Sequence, residues 1–270
     1  MSRTRPSDAA VEQRRQQILD HVIEHGEARI DDLTARFGVS LMTMHRDLDD
    51  LAERRLLRKL RGKVAAYPAL TIGTAARFGE TLHNGEKDAL ADAAARQVES
   101  GQTVFIDDST TLFPLARRLA TVSGLTVLTN SLHAARLLAE GDNDIVLAGG
   151  KYSPEFDSCS GPEVVSFLEN TRADVAFVSV SAVAIGRLYH PVRDYAELKK
   201  AAIKAANHNV LVVDHSKFGR TATYAHGTVA DYDLLITGET TPTEEIEAAL
   251  NAGTAIEIVE HVEEGQPYDS

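Results

Sequence analysis

The sequence has a single cysteine, no long apolar run, no internal repeat or low-complexity tract, and no histidine or cysteine spacing suited to a metal. Each absence closes off a class of function. The lone thiol, Cys159, can form no internal disulfide, and the polar, charged N-terminus lacks the apolar core of a secretory leader, so the cytoplasm is the expected compartment. A catalytic Cys159 would need an activating base, and nothing nearby identifies one. Ten histidines are scattered without HExxH or His-x-His, so neither a metal nor a cofactor is expected. No apolar stretch reaches about 18 residues, which excludes a membrane partner from the reading. A chain of 270 residues with 43% hydrophobic content is instead expected to hold two soluble domains.

What is present is unevenly distributed. The formal charge is −12, yet residues 1–70 contain 13 Lys+Arg against 11 Asp+Glu, a balance of +2 that leaves −14 for the remainder. A basic head on an acidic body suits a polyanion partner held by a small surface, with dimerisation supplying further affinity.

Helical spacing organises that head. Ile18, Leu19, Val22 and Ile23 mark one face of a helix from near Val11 to Gly26. Ile30, Leu33 and Phe37 mark a second, with Asp31 as its expected cap and Gly38 as its stop. In the third, Ser40 is the expected cap, Leu41, Met44, Leu48 and Leu51 point inward, and Thr43, His45 and Arg46 face out. Two helices across a tight turn form a helix-turn-helix, and Ser40, Thr43, His45 and Arg46 are the candidates for groove contacts. The run from Leu56 to Tyr67 reads as two strands around Arg61-Gly62-Lys63, a wing beside the helix. Arg54, Arg55, Arg58, Lys59, Arg61 and Lys63 crowd this region without an acidic residue among them, and Arg58, Lys59, Arg61 and Lys63 are the candidate phosphate contacts.

Glycines at 73, 79 and 85 interrupt the pattern, so the expected division is a DNA-binding head at 1–70, a linker at 71–85 and a body at 86–270. In the body a helix through Ala89, Ala93 and Val98 is followed by the runs VFID, LTVLT, DIVLAG, DVAFVSV, NVLVV and DLLIT. Apolar runs without alternation suit strands buried on both faces, hence a mostly parallel sheet flanked by helices, with ligands at its carboxyl edge. The loops there are polar: Asp107, Asp108, Ser109, Thr110 and Thr111 before a helix, Asn130 and Ser131 before another, then Gly149 and Gly150, and finally Lys217 after NVLVV. Hydroxyls and N–H groups at helix starts, glycine backbone and a mobile ammonium are the parts of a phosphate site.

These residues together resemble the DeoR-type bacterial transcriptional regulators of sugar metabolism, over nearly the whole chain from Arg14 to about Glu239. The likeness is carried by Val39-Ser40 with Thr43-Met44-His45-Arg46-Asp47-Leu48, by Asp108-Ser109-Thr110-Thr111, Leu128-Thr129-Asn130-Ser131, Gly149-Gly150 and Glu197-Leu198-Lys199, and by Asp214 through Gly219. The resemblance implies an α/β protein in which a winged helix-turn-helix is joined to a mostly parallel α/β sensor domain resembling ribose-phosphate isomerase. It implies a homo-oligomer, dimer or tetramer, that binds double-stranded operator DNA and is released by a phosphorylated sugar. The chain departs from the family pattern at His45, where arginine is usual, at the wing turn, at Ser109 and around Ser181-Ala182-Val183. A competing expectation is a sugar-phosphate isomerase or deaminase with an accessory DNA-binding head, using Asp107, Asp108 or Glu197 as a proton-transferring base. An activator or dual regulator is a third.

Overall fold

The computed structural model describes residues 11, 14–15, 17–19, 21–22, 27–53, 56–66 and 84–260. Contacts divide the chain into two units, Met1–Ala75 and Ala76–Ser270. The linker expected at 71–85 lies outside the described residues except at its last two positions, which already belong to a helix.

In the first unit, helical residues between 11 and 22 (α1) bury Ile18, Leu19 and Val22; Ile23 lies outside the described residues. Strand β1 (Glu27–Arg29) leads directly into α2 (Ile30–Arg36), and α3 (Leu41–Glu53) precedes the wing strands β2 (Leu57–Leu60) and β3 (Lys63–Ala66). Their sheet has the order β1-β3-β2 and is antiparallel throughout. Leu60 pairs with Lys63, so the wing reverses in two residues, Arg61 and Gly62, with Gly62 at φ 72°; Lys63 belongs to the strand. Gly38, at φ 60°, makes the left-handed turn between α2 and α3.

Two expectations need correction here. Asp31 does not cap α2: the helix begins at Ile30 behind an extended Arg29, with no side-chain cap. The Ile30 N–H, one of the first-turn donors with no partner inside the helix, donates to the Gly62 carbonyl of the wing at 3.2 Å. Leu41 is not inward either. It is 49% exposed, because the inward stripe begins one turn later at Met44 and continues through Leu48 and Leu51. That stripe also carries a buried carboxylate, Asp47, which accepts from Arg14 Nε at 2.8 Å and from Arg15 Nε at 3.1 Å and so fastens α3 to α1.

The second unit opens with α4 (Asn84–Ala95), which stops short of the expected Val98, and then alternates: β4 (Thr103–Ile106), α5 (Phe113–Leu119), β5 (Thr126–Thr129), α6 (Leu132–Leu138), β6 (Asp144–Leu147), the hairpin β7 (Lys151–Ser153) and β8 (Ser158–Ser160), α7 (Pro162–Glu169), β9 (Ala173–Val178), β10 (Ala182–Ala184), β11 (Arg187–His190), α8 (Arg193–Lys204), β12 (Ala206–Val213), β13 (Tyr224–Thr228), β14 (Leu234–Gly238), α9 (Thr243–Ala252) and β15 (Ala255–Val259). Among the described residues, seven strands form one sheet in the order β15-β14-β12-β9-β4-β5-β6, every pair parallel. The six apolar runs read from the sequence are β4, β5, β6, β9, β12 and β14. Alternate residues of each strand feed two cores: Phe105, Ala176, Val178, Leu211 and Val213 pack with α7 and α8, while Val104, Ile106, Val175, Phe177, Val210 and Val212 pack with α4, α5 and α6. Burial on both faces is what removes the polar alternation from these strands. No helix of the described residues is long and apolar enough to cross a membrane.

Replacing Asp47 with alanine removes the acceptor shared by Arg14 and Arg15, whose guanidinium groups can still reach water. The expected cost to the first unit is about 1–2 kcal/mol, read as a lowered midpoint of its unfolding transition in scanning calorimetry.

Candidate functional site

Ser40 stands immediately before α3. Its Oγ accepts from the Thr43 N–H at 3.2 Å and its carbonyl from the Met44 N–H at 2.9 Å, the arrangement of an N-cap, while its hydroxyl lies 2.9 Å from Thr43 Oγ1. With Met44, Leu48 and Leu51 buried, Ser40 and Arg46 are exposed and Thr43 and His45 half-buried. On the wing, Arg58 and Arg61 are exposed. The wing cations are not free of acidic partners as expected: Lys59 pairs with Asp49 at 2.6 Å and Lys63 with Glu27 at 2.6 Å, acids supplied by α3 and β1. Both pairs are exposed to solvent and worth about 0–1 kcal/mol each, so a phosphate competes for these lysines at small cost. Arg46, Arg58 and Arg61 form no ion pair with another described residue. Arg54 and Arg55 lie outside the described residues.

In the body, the chain proceeds from β4 to β5 and β6 in one direction and from β9 to β12, β14 and β15 in the other. The switch point is therefore the crevice beyond the carboxyl ends of β4 and β9, where open parallel sheets take their ligands. Asp107 occupies it. Its N–H donates to the Phe177 carbonyl at 3.2 Å, its Oδ1 accepts from the Ser109 N–H at 2.9 Å, and its Oδ2 accepts from the Ser179 N–H at 3.1 Å and from Lys199 Nζ at 2.5 Å. Carboxylate and ammonium are both buried.

Beside it, Asp108 accepts from Ser158 Oγ at 2.7 Å, and that hydroxyl lies 2.8 Å from the Tyr195 hydroxyl. Burial pushes the Asp108 carboxyl above the ordinary carboxylate range; Lys199 opposes the rise, Asp107 adds to it, and hydrogen bonds from Ser158 and Asn130 oppose it further. Tyr195 stacks on His190 at 5.2 Å and meets Phe156 at 4.6 Å. Burial, reinforced by Lys199, drives both His190 and His226 down to about 3, so both imidazoles are neutral.

A second polar group forms around Asp214 after β12. Its carboxylate accepts from Thr111 Oγ1 at 2.8 Å, from the Ser216 N–H at 3.2 Å and from the Ser216 hydroxyl, with Lys217 Nζ 3.9 Å away. Burial works against its charge, but Lys217, Lys87 and these hydrogen bonds outweigh it and hold the carboxyl well below its usual range. Lys87 Nζ lies 3.5 Å from Thr110 Oγ1. Its neighbour Glu86 accepts from the His215 N–H at 3.0 Å and lies 2.6 Å from the ring Nδ1. A Cβ on Gly238 would fall 2.4 Å from Glu86 Oε1, so that position admits only glycine unless Glu86 moves.

The predicted residues thus divide by role. Asp107, Thr111 and Ser131 are fully buried and committed to protein partners, Ser131 as the cap that accepts from the Ala134 N–H at 3.1 Å. Asn130 donates to the Cys159 carbonyl at 3.0 Å, while its Oδ1 and the Ser179 hydroxyl are buried without a hydrogen-bond partner among the described residues. Ser109 and Lys217 are partly accessible and Gly149 is exposed with open space where a Cβ would be, whereas the missing Cβ of Gly150 makes room for the Ser160 carbonyl and Val164. Sequence reasoning did not place Lys199, Tyr195, Ser158 or Lys87 in the site, and read Asp214 only as part of the loop that carries Lys217. For the first two a signal existed: Tyr195, Leu198, Lys199 and Ala202 share one face of α8, and a lysine inside an apolar stripe has a buried counter-charge. Ser158 arrives from a hairpin fifty positions beyond Asp108 and left no such trace.

Asp107→Asn strands the Lys199 charge and is expected to cost about 3–5 kcal/mol in chemical denaturation, with Lys199→Met in that background recovering part of the loss. His190 and His226 are neutral when folded and charge more readily when unfolded. Their contribution is complete above the ordinary value of 6.5 and is lost as pH falls from there toward about 3. Denaturation midpoints measured from pH 7 to pH 4 should fall, and less steeply in a His226→Leu variant.

Comparison with known proteins identifies both units. Residues 14–67 match the DeoR-like helix-turn-helix domain and residues 82–239 the DeoR C terminal sensor domain. The glycerol-3-phosphate regulon repressor of Escherichia coli is 34% identical over 236 residues, covering 85% of this chain and 92% of that protein. The HTH-type transcriptional regulator GlpR of Haloferax volcanii is 31% identical, covering 90% and 96%. Among solved structures, ribose 5 phosphate isomerase A from Neisseria gonorrhoeae aligns over 49% of this chain and 52% of its own, at 16% identity and a TM-score of 0.37. The two sequence relatives are named as a repressor and a transcriptional regulator, which favours regulation over the isomerase or deaminase reading. The chain belongs to the DeoR family of helix-turn-helix transcriptional regulators.

Proposed function

We propose that this protein represses a carbohydrate-catabolic operon and leaves its operator when a small phosphorylated metabolite enters the carboxyl edge of the sensor sheet. The observation that carries the reading is the orientation of α3: apolar side chains hold it to the head while Ser40, Thr43, His45 and Arg46 remain on its accessible side. Arg46 and the half-buried Thr43 and His45 meet base edges, and Arg58, Lys59, Arg61 and Lys63 meet phosphates on either side. The head is assigned to residues 1–70, the linker to 71–85 and the sensor to 86–270. A dimer or tetramer in the cytoplasm sets two heads on successive major-groove faces.

The metabolite's phosphate is assigned to the loop that carries Lys217, whose ammonium is only loosely held by Asp214, together with Ser109, Thr110 and Gly149. Its hydroxyls would satisfy Asn130 Oδ1 and the Ser179 hydroxyl, buried groups that each cost about 1–3 kcal/mol when left without a partner. Asp107, Asp108, Thr111, Ser131 and Gly150 shape the loops. Glycerol 3-phosphate is the first metabolite to try, given the regulon named for the Escherichia coli relative. Release requires unequal binding to the two states, a coupling of about 1–3 kcal/mol in typical cases.

The test is an electrophoretic mobility shift on the gene's own upstream region at low salt. A retarded band that dissolves on adding glycerol 3-phosphate or a sugar phosphate is expected, and absence of any retarded band refutes the reading. Arg46→Ala should weaken specific binding by about tenfold, Lys63→Ala should weaken binding to all sequences alike, and Lys217→Ala should bind DNA yet fail to release it.

A further inference from the structure

Two large apolar side chains open α3 on its accessible side: Leu41 is 49% exposed and Met42 68% exposed. Their exposure is not a failure of packing elsewhere, because the inward stripe of Met44, Leu48 and Leu51 is complete without them. Met42 precedes Arg46 by four residues and therefore lies on the same face, one turn nearer the N-terminus of the helix. In a helix-turn-helix, that end meets the base edges. Ser40, the cap, flanks this pair on one side and Arg46 on the other, with Arg46, Arg58 and Arg61 uncommitted to any ion pair among the described residues. Cations placed for phosphate around an apolar tip select a surface that is anionic at its margins and carries an apolar group at its centre. The major groove offers one such group, the 5-methyl of thymine.

We infer that Met42, with Leu41 beside it, reads thymine methyl groups in the operator, making these two residues determinants of sequence specificity. The inference rests on the DNA-binding reading of α3 and adds the base it recognises. Met42 suits the role because its unbranched thioether adapts to a methyl group without needing a hydrogen bond. Discrimination comes from apolar area removed from water rather than from a bidentate pair, so each recognised thymine contributes a modest factor.

The experiment uses the full-length protein and a duplex selected from a random-sequence pool, resynthesised with deoxyuridine replacing thymine at single positions. Uracil keeps the pairing edge and loses only the methyl. The parent is expected to bind the uracil duplex about three- to fivefold more weakly at one or two positions, as the loss of one methyl contact allows. Met42→Ala should bind the thymine and uracil duplexes equally, and Met42→Gln should shift the preferred base there toward adenine, the partner of a glutamine amide. Both changes are on an exposed position, and matching unfolding midpoints would show the variants folded. If the parent binds the selected duplex but ignores every uracil substitution, or if Met42→Ala retains the parent's uracil sensitivity, the inference is overturned while the DNA reading stands. If Met42→Ala alters oligomer size instead, the apolar tip is a contact between copies and the inference also falls. If no duplex is retained from the pool, the DNA reading fails and takes the inference with it.

Discussion

The buried pair of Asp107 and Lys199 is the constraint on which the sensor domain turns. One carboxylate receives two backbone N–H groups and one ammonium, and those donors come from the loop after β4, the loop after β9 and helix α8. Three elements that could splay apart at the switch point are thereby held to one another. Burying both charges is costly, and an apolar pair of similar volume would often be as stable. The pair is better understood as the means of keeping a cation and an acid at the carboxyl edge of the sheet. Lys199 reinforces the burial that keeps His190 and His226 neutral, and at Asp108 the pair divides, Lys199 opposing the rise that burial causes and Asp107 adding to it.

The head carries a small net charge, +2 over residues 1–70. Lys59 and Lys63 share their charge with neighbouring acids, while Arg46, Arg58 and Arg61 are uncommitted to any ion pair among the described residues. Few phosphate contacts mean few released counterions, so binding depends less steeply on salt than it would for a strongly basic domain. Selectivity must then come from base contacts.

Much of this architecture was legible in the sequence because its signals are local. The parallel strands announce themselves as unalternating apolar runs, and the recognition helix as a stripe of period 3.6 behind a serine. Strand β15 was missed because Glu257 interrupts its short apolar run AIEIV at the sheet's edge, and the short strands β7, β8, β10, β11 and β13 because three to five residues carry little pattern. Asp31 is not the cap because the helix already begins at Ile30, whose N–H is held by the Gly62 carbonyl of the wing, a contact that no local pattern signals. In the site, the loops at strand ends could be read directly, but the partners of those loops could not. Lys199, Ser158 and Lys87 reach the loops through tertiary packing, and a buried ion pair leaves only an unusual lysine on an apolar face.

Gly238 closes β14 with an ordinary backbone, so its identity owes nothing to torsional freedom. The space it leaves is filled by the Glu86 carboxylate, which in turn grips both the main chain and the ring of His215. Glu86 sits in the first turn of α4, at the start of the described part of the sensor. A displacement of that turn would drag on the same peptide that precedes Ser216 and Lys217. The first described turn of the sensor and the stance of Lys217 are thus two ends of one short chemical tether.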